Sequence, residues 1–283
     1  QVIRNVLVVG PGTMGRGIAN TFLRGGHEVT VISRNPDKVA PFDEFVNVTS
    51  SLPEDTPDLI IEAIVEEMSA KHALFQQLET QYGGQPILAT NTSGLPMNDM
   101  AARLKHPERF IGVHYLQPAD ALPLVEVIRV ATTTDAVLNA VKAALGRNGQ
   151  NALVLNKPVP GFLLNRLQHA MMHEALAMIE DGVCTASDVD ACLKGALAPR
   201  MCLTGLIEQK DLSGLQVTAA THRNLVPDMY HTNTPVALLQ DMVKEGKLGV
   251  STGQGFYDWR AQDVEAYKKK VAQKLNRILD LYH

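Results

Sequence analysis

The sequence has 283 residues, 45% of them hydrophobic, which is enough apolar material for two domains of ordinary size. A formal net charge of -4, without a dense basic stripe, argues against nucleic acid or an anionic membrane surface as the main partner. The sequence also has no apolar run long enough to cross a bilayer.

A glycine-rich turn joins the first predicted strand, 5–9, to a helix-like stretch, 16–24. It reads Val8-Val9-Gly10-Pro11-Gly12-Thr13-Met14-Gly15. In such a turn Gly10 permits the tight bend, Gly12 lets the backbone approach a pyrophosphate, and Gly15 lets helix and strand pack closely. The N–H groups and positive end of the following helix favour an anion. The segment predicts a dinucleotide site, with a purely structural turn as the alternative.

The second predicted strand, 28–32, ends at Ser33 and Arg34. NAD enzymes with this fold normally carry an acid there, which binds the ribose hydroxyls. A hydroxyl followed by a guanidinium instead offers donors and positive charge to a 2′-phosphate. We therefore predict a preference for NADP. The alternative is NAD, with Arg34 stacked on the adenine and Ser33 hydrogen-bonded to the ribose.

Short β-branched runs continue to alternate with helix-like segments as far as residue 155. This pattern predicts an α/β domain, a Rossmann-type and mostly parallel sheet covered by helices. The remaining predicted strands are 58–64, 86–89, 110–113, 122–130 and 151–155, with a helix over 134–145.

Beyond Pro160 the pattern becomes helical, and the second domain is predicted to be all helical. The prolines and glycine of 156–161 mark the change. We place a nucleotide-binding domain at 1–157 and a helical domain at 158–283. A last helix, 261–282, carries a second apolar stripe.

Two polar residues interrupt very apolar strands. His114 closes the run 110–113, and Glu126 lies between Val125 and Val127. A buried carboxylate needs a cation or a donor to offset its desolvation. Paired with His114, it would fix the tautomer of the ring and stabilise the imidazolium that forms when the ring accepts a proton. The pair predicts a general base with its orienting group, and a structural histidine is the alternative.

At these residues the chain resembles the L-3-hydroxyacyl-CoA dehydrogenases and their relatives that act on free hydroxy acids. The resemblance covers nearly the whole sequence. It rests on Gly10 to Ala19, Glu62-Ala63-Ile64-Val65-Glu66, Asn91-Thr92-Ser93, His114, Pro123 to Ile128, Pro160 to Leu167 and Gly253 to Tyr257.

The resemblance implies hydride transfer between a nicotinamide and a secondary alcohol. His114 then moves the hydroxyl proton, Glu126 holds His114, and Ser93 and Asn165 hydrogen-bond the reacting oxygen. Alternatively, Ser93 only caps a helix beginning after Leu95, and Asn165 only holds its helix against the linker. The family positions near the nicotinamide end of the cofactor correspond here to Glu66, Lys71 and Asn91, and Ala63 is also expected to bind the cofactor. The alternative for Glu66 and Lys71 is that they are solvated residues at the start of a helix.

The chain departs from the acyl-CoA members of that family between the second and third predicted strands. Those members insert a long helical hairpin there, whereas the corresponding connection in this chain is short and includes Asn35-Pro36-Asp37-Lys38. Pro123 and Gln168 are more similar to the carnitine and L-gulonate dehydrogenase branch, whose substrates are small acids without CoA. Arg200 stands where that branch often has an arginine, and a guanidinium binds a carboxylate bidentately. A surface salt bridge is the alternative role for Arg200.

The sequence therefore predicts a dehydrogenase acting on a small, non-CoA hydroxy acid or its oxo counterpart. Two rivals stay open, an L-3-hydroxyacyl-CoA dehydrogenase and a non-catalytic nucleotide-binding sensor or structural protein. The resemblance also implies that the helical domain, 158–283, contributes to substrate binding and forms a homodimer, for which the apolar face of a helix over 161–180 would serve.

Three further features bear on the cellular compartment of the protein and on metal binding. The three cysteines are odd in number and form no Cys-x-x-Cys pair, which is typical of a reducing compartment, and residues 1–4 show no cleavable signal. We expect a cytoplasmic protein. His169 and His173 have metal-ligand spacing but no matching third ligand, so we expect no metal.

Overall fold

The computed structural model describes residues 1–280, which divide by their internal contacts into two compact units. The first unit is Gln1–Arg166, and the second begins at Leu167. The functional boundary at 157/158 stays a prediction, because a division by contacts does not locate it.

The first unit is built on an eight-stranded sheet of order β3-β2-β1-β4-β5-β6-β7-β8. All neighbouring strands are parallel except β6 and β7. The strands are β1 (Asn5–Val9), β2 (Glu28–Ile32), β3 (Val46–Thr49), β4 (Leu59–Glu62), β5 (Ile87–Thr90), β6 (Phe110–Tyr115), β7 (Leu124–Ile128) and β8 (Asn151–Leu155).

Helices cover both faces of this sheet, as its mainly buried strands require. The helices of the first unit are α1 (Thr13–Arg24), α2 (Met68–Tyr82), α3 (Met97–Ala101) and α4 (Asp135–Arg147). One apolar cluster contains residues of α1 and α4, such as Ile18 and Val141, and the other contains residues of α2, such as Phe75 and Leu78. Strand residues alternate between the two clusters, so each helix layer has its own core.

The α5 helix (Leu164–Glu180) begins at the end of the first unit and continues into the second. The other helices of the second unit are α6 (Ala186–Cys192), α7 (Ala198–Leu203), α8 (Glu208–Ser213), α9 (Leu215–Leu225), α10 (Ala237–Lys244) and α11 (Val264–Asp280), with a π-helical turn at Leu193–Leu197. Within residues 167–280 the only β-structure consists of isolated bridges at Gly249, Gln254 and Asp258. The fold class predicted from the sequence is confirmed.

Several element bounds differ from the predicted ones. The first helix begins at Thr13, three residues before the expected start at residue 16, because Gly12 serves as its N-cap. The strand expected over 122–130 is limited to β7, and β6 runs through His114 to Tyr115. The strand β3 was not predicted; it is an edge strand of four residues that pairs with β2 on one side only. The predicted last helix extends to residue 282, and its end lies outside the described residues.

No helix among residues 1–280 combines the length and the apolar character that a membrane crossing requires.

Candidate active site

The three glycines of the first turn have three different surroundings. Gly10 has φ +114°, and a Cβ built on it would lie 2.4 Å from the carbonyl oxygen of Ala63, at the end of β4. A Cβ on Gly15 would lie 1.8 Å from the carbonyl oxygen of Gly10. A Cβ on Gly12 would meet no protein atom within 4 Å. Gly10 and Gly15 are therefore required by the fold, whereas Gly12 leaves room for a ligand against the backbone.

The start of α1 suits an anion. Its first turn, which includes Thr13 and Met14, carries no acidic residue, so the partial positive charge at the helix N-terminus is not neutralised from within. Arg16 donates both terminal guanidinium nitrogens to the carbonyl oxygens of Ala40 and Pro41. These bonds hold the loop that follows β2 beside the glycine-rich turn. The residues present fit the pyrophosphate of a dinucleotide.

A cavity of 710 Å³ adjoins this turn. Ser33 and Arg34 line it together with residues of the glycine-rich turn, of α1 and of the segment 117–120. Ser33 is buried, and its hydroxyl oxygen accepts a hydrogen bond from the backbone N–H of Asn35. The lining includes three bases, Arg16, Arg34 and Lys38, and one acid, Asp120.

His114 and Glu126 lie directly opposite each other in the antiparallel pair of β6 and β7. Because opposite residues in such a pair point to the same face, the two side chains meet. His114 Nδ1 lies 2.7 Å from Glu126 Oε2, and the Glu126 side chain is completely buried. Burial alone would raise the pKa of the Glu126 carboxyl, but hydrogen bonds from His114 and from two backbone N–H groups outweigh it, and the pKa lies below its usual value.

The second oxygen of Glu126 caps the start of α5. Oε1 accepts hydrogen bonds from the backbone N–H groups of Leu163 and Leu164, each at 2.9 Å. The preceding residue, Phe162, is buried with φ +49°, and its ring lies 5.3 Å from the imidazole of His114. Asn165, half-buried in the first turn of α5, is therefore held near the same carboxylate as His114. Phe162 was not predicted as a site residue, although it lies within the segment Pro160 to Leu167 that carries the family resemblance.

Ser93 lies in the loop that follows β5, and β5 is the neighbour of β6 in the sheet. It is exposed and does not cap a helix, since α3 begins four residues later with Pro96 as its N-cap. The Ser93 backbone N–H donates to Glu66 Oε1 at 3.0 Å. The amide oxygen of Asn91 accepts a hydrogen bond from the backbone N–H of Tyr115, next to His114. These bonds tie the ends of β5 and β6 together.

Lys71 lies on the inner side of α2 and is only 1% exposed. Its ammonium nitrogen lies 2.5 Å from Glu62 Oε1 and 3.2 Å from Glu66 Oε2. Glu62, the last residue of β4, was not singled out from the sequence. The signal in the sequence is the same for Glu62 as for Glu126, because each is an acidic residue in an apolar strand.

Arg200 belongs to the second unit, where it is an exposed residue of α7. Of the two histidines with metal-ligand spacing, His173 contacts the Thr232 hydroxyl at 3.0 Å. Residues 1–280 contain no group of three or more acidic, cysteine or histidine side chains arranged to hold a metal ion.

The parallel sheet, the glycine-rich turn and the buried His–Glu pair define a dinucleotide-binding dehydrogenase. Two family models match the chain, "3-hydroxyacyl-CoA dehydrogenase, NAD binding domain" over residues 5–52 and 42–158 and "3-hydroxyacyl-CoA dehydrogenase, C-terminal domain" over 161–259. The chain belongs to the 3-hydroxyacyl-CoA dehydrogenase family. It is thus an NAD-binding oxidoreductase acting on a CH–OH donor, and the predicted enzyme class, a dehydrogenase, is confirmed.

Two relatives show the range of the family. A 3-hydroxybutyryl-CoA dehydrogenase of Clostridioides difficile is 34% identical, over 89% of this chain and 98% of its own length. A 5-formyl-3-hydroxy-2-methylpyridine 4-carboxylate 5-dehydrogenase of Mesorhizobium japonicum is 26% identical, over 99% of both chains. A crystal structure of an enzyme of the latter kind, an NAD⁺-dependent dismutase, matches with a TM-score of 0.92 at 24% identity, over 99% of both chains, and this shows the shared fold.

Proposed function

We propose that the chain interconverts a secondary alcohol and a ketone in a small carboxylic acid without CoA, and that His114 moves the hydroxyl proton. The observation that carries this proposal is the buried contact of 2.7 Å between His114 Nδ1 and Glu126 Oε2. A dinucleotide bound at the glycine-rich turn supplies the chemistry of hydride acceptance and donation.

The state of Glu126 determines which nitrogen of His114 is the base. Because the pKa of Glu126 is lowered, its carboxyl is ionised near neutral pH and only accepts hydrogen bonds. His114 Nδ1 must then be the donor, which leaves the lone pair of the neutral ring on Nε2. In alcohol oxidation Nε2 accepts the hydroxyl proton, and the carboxylate stabilises the imidazolium that results. In ketone reduction the same nitrogen returns the proton.

Ser93 and Asn165 are proposed to hydrogen-bond the reacting oxygen. The Ser93 hydroxyl is exposed and lies 3.4 Å from Glu66 Oε1, which is too long for a strong bond and leaves the hydroxyl able to donate elsewhere. Asn165 has an amide donor in the first turn of α5. Donors aimed at the oxygen lower the energy of an alkoxide-like transition state.

The choice of a free acid over a CoA ester is supported by the short connection between β2 and β4. Residues 33–58 contain only a 3₁₀ turn at Pro36–Lys38 and the strand β3, in place of a long helical hairpin. The M. japonicum relative is named for a pyridine carboxylate, which also favours a small acid. We propose Arg200 as the group that binds the carboxylate. The 34% identity to a 3-hydroxybutyryl-CoA dehydrogenase favours the rival substrate.

The predicted NADP preference is retained as a proposal. It is supported by the exposed guanidinium of Arg34 and by the excess of bases lining the cavity beside it. Arg34 and Lys38 would hold a 2′-phosphate, and Ser33 would donate to it. The dismutase with the same fold is NAD⁺-dependent, so NAD is the cofactor against which this preference has to be measured.

We also propose a homodimer formed through the helical unit, and a cytoplasmic location. The helix α5 exposes Leu167, Met171 and Met172, and the Leu203 and Ile207 side chains are 86% and 75% exposed. Large exposed apolar side chains of this kind are typical of subunit interfaces. Sedimentation velocity at micromolar concentration tests the dimer, and a monomeric mass would contradict it.

A substrate screen tests the function. Reduced nicotinamide is followed by its near-ultraviolet absorbance, with NAD and NADP, against a panel of small hydroxy acids, their methyl esters and 3-hydroxybutyryl-CoA. We expect turnover of a free acid, loss of activity with its methyl ester and little activity with the CoA ester. Higher kcat/KM for the CoA ester than for every free acid would establish the rival function.

A further inference from the structure

We infer that Glu62 and Lys71 are positioning residues, a buried ion pair that fixes the Glu66 carboxylate and through it the loop that carries Ser93. This inference rests on the proposed function in one respect, because the position of the Ser93 hydroxyl has to affect turnover.

Glu66 connects the ion pair to the Ser93 loop, because its two oxygens have different partners. Oε2 faces the Lys71 ammonium at 3.2 Å. Oε1 accepts hydrogen bonds from the Thr92 hydroxyl at 2.6 Å and from the backbone N–H groups of Ser93 and Gly94 at 3.0 and 3.3 Å. One carboxylate thus fixes three consecutive residues around the Ser93 hydroxyl.

Glu62 holds the other side of the ammonium. Its Oε1 lies 2.5 Å from Lys71 Nζ and also accepts the backbone N–H of Ile64, while its Oε2 accepts the Thr90 hydroxyl. These bonds link the ends of β4 and β5 to the first turn of α2. The ammonium therefore has a fixed position set by the sheet, and the position of Glu66 follows from it.

Stability alone is a poor explanation for this pair. A buried ammonium is desolvated, and in the first turn of a helix it also lies near the positive end of the helix dipole. An apolar pair of similar volume is often as stable as a buried ion pair, or more so. What an apolar pair cannot do is hold a carboxylate such as Glu66 in one place.

Hydrogen exchange in the absence of cofactor tests whether the Glu62–Lys71 pair holds the Ser93 loop in place. Lys71→Met alone would leave Glu62 buried without a cation and would impair folding, so the test uses Glu62→Gln/Lys71→Met, which removes both charges. The matched control is Glu265→Gln/Lys268→Met, which removes an exposed Glu–Lys pair on α11. We expect the amides of Ser93 and Gly94 to exchange at least about tenfold faster in the first variant only. Unchanged exchange would overturn the inference.

A kinetic double-mutant cycle tests whether the Glu62–Lys71 pair affects turnover through Ser93. If the ion pair acts through Ser93, Glu62→Gln/Lys71→Met lowers kcat at least about tenfold with little change in KM, yet lowers it less than about twofold further in a Ser93→Ala background. Additive losses, or no loss, would overturn the inference. If His114→Gln leaves turnover intact, the proposed function fails, and the exchange result still decides whether the pair holds the loop.

Discussion

His114 and Glu126 are cross-strand neighbours in β6 and β7, with Nδ1 and Oε2 2.7 Å apart, although twelve residues separate them in the chain. The same carboxylate caps α5 through its other oxygen. One buried acid therefore sets the tautomer of the proposed base and also the start of the helix that carries Asn165.

Replacing the proposed base gives the first prediction. His114→Gln is expected to lower kcat at least about a hundredfold, because the variant has no group that can accept the hydroxyl proton. Dinucleotide affinity, measured by fluorescence titration, should stay unchanged, since the glycine-rich turn is intact. His222→Gln, at an exposed position on α9, is the control. Turnover of His114→Gln within tenfold of the parent enzyme would show that another group is the base.

The second prediction concerns the contribution of Glu126 to stability at different pH. The pKa of Glu126 is lowered from 4.5 in the folded chain, so its stabilisation is complete above that value and is lost as the pH falls through the lowered pKa. At pH 7 we expect Glu126→Gln to lower the free energy of unfolding by about 2 kcal/mol.

The pH dependence is measured by urea unfolding of both proteins between pH 7 and pH 3. The difference between them should stay constant down to about pH 4.5 and narrow below it. His114 is the titratable group facing the carboxylate, so the series is repeated with His114→Gln. A difference that does not narrow in acid would mean that Glu126 contributes no charge-dependent stability.

The sequence was informative wherever a residue type conflicted with its surroundings. Glu126 between two valines of an apolar strand indicated a buried partner, and the glycine spacing indicated a phosphate-binding turn. The same reasoning applied to Glu62 would have found the Glu62–Lys71 pair. The strand β3 was missed because it is short and pairs on one side, so its residues need no continuous apolar pattern.

Contacts between segments that are distant in the chain could not be predicted from the sequence. Nothing in the spacing of Glu66 and Ser93 shows that one carboxylate accepts two backbone N–H groups of that loop, because such bonds depend on the order of β4 and β5 in the sheet. The same holds for Asn91, whose amide oxygen accepts a hydrogen bond from the backbone N–H of Tyr115, 24 residues further along the chain.

Two glycines of the first turn give a paired third prediction. Gly10→Ala is expected to lower the free energy of unfolding by at least about 2 kcal/mol, because the methyl group would meet the Ala63 carbonyl at 2.4 Å on a backbone with φ +114°. Gly12→Ala meets no protein atom within 4 Å and should leave stability unchanged while weakening dinucleotide binding at least about tenfold. Thermal unfolding and fluorescence titration measure the two effects. Normal affinity in folded Gly12→Ala would place the pyrophosphate elsewhere.

The fourth prediction concerns cofactor choice. Ser33→Asp introduces a carboxylate beside Arg34, which repels a 2′-phosphate and accepts hydrogen bonds from ribose hydroxyls. The ratio of kcat/KM with NADP to kcat/KM with NAD should fall at least about tenfold. Arg34→Ser, which removes the guanidinium, should lower the same ratio, whereas the control Arg103→Ser, at an exposed arginine that does not line the cavity, should leave it unchanged. If the parent enzyme already uses NAD tenfold better than NADP, the proposed preference is wrong.

The last prediction tests the proposed carboxylate anchor in the second unit. Arg200→Ala should raise KM for the free acid at least about tenfold, because a guanidinium binds a carboxylate through two parallel hydrogen bonds. Arg200→Lys keeps the charge but offers no fork, so its KM should lie between those of the parent enzyme and Arg200→Ala. The methyl ester of the same acid, which has no carboxylate to bind, should be an equally poor substrate of the parent enzyme and of both variants. Arg223→Ala, an exposed arginine of α9, serves as the control. Equal KM values in the parent enzyme and Arg200→Ala would exclude Arg200 as the anchor and leave the role of the His114–Glu126 pair untouched.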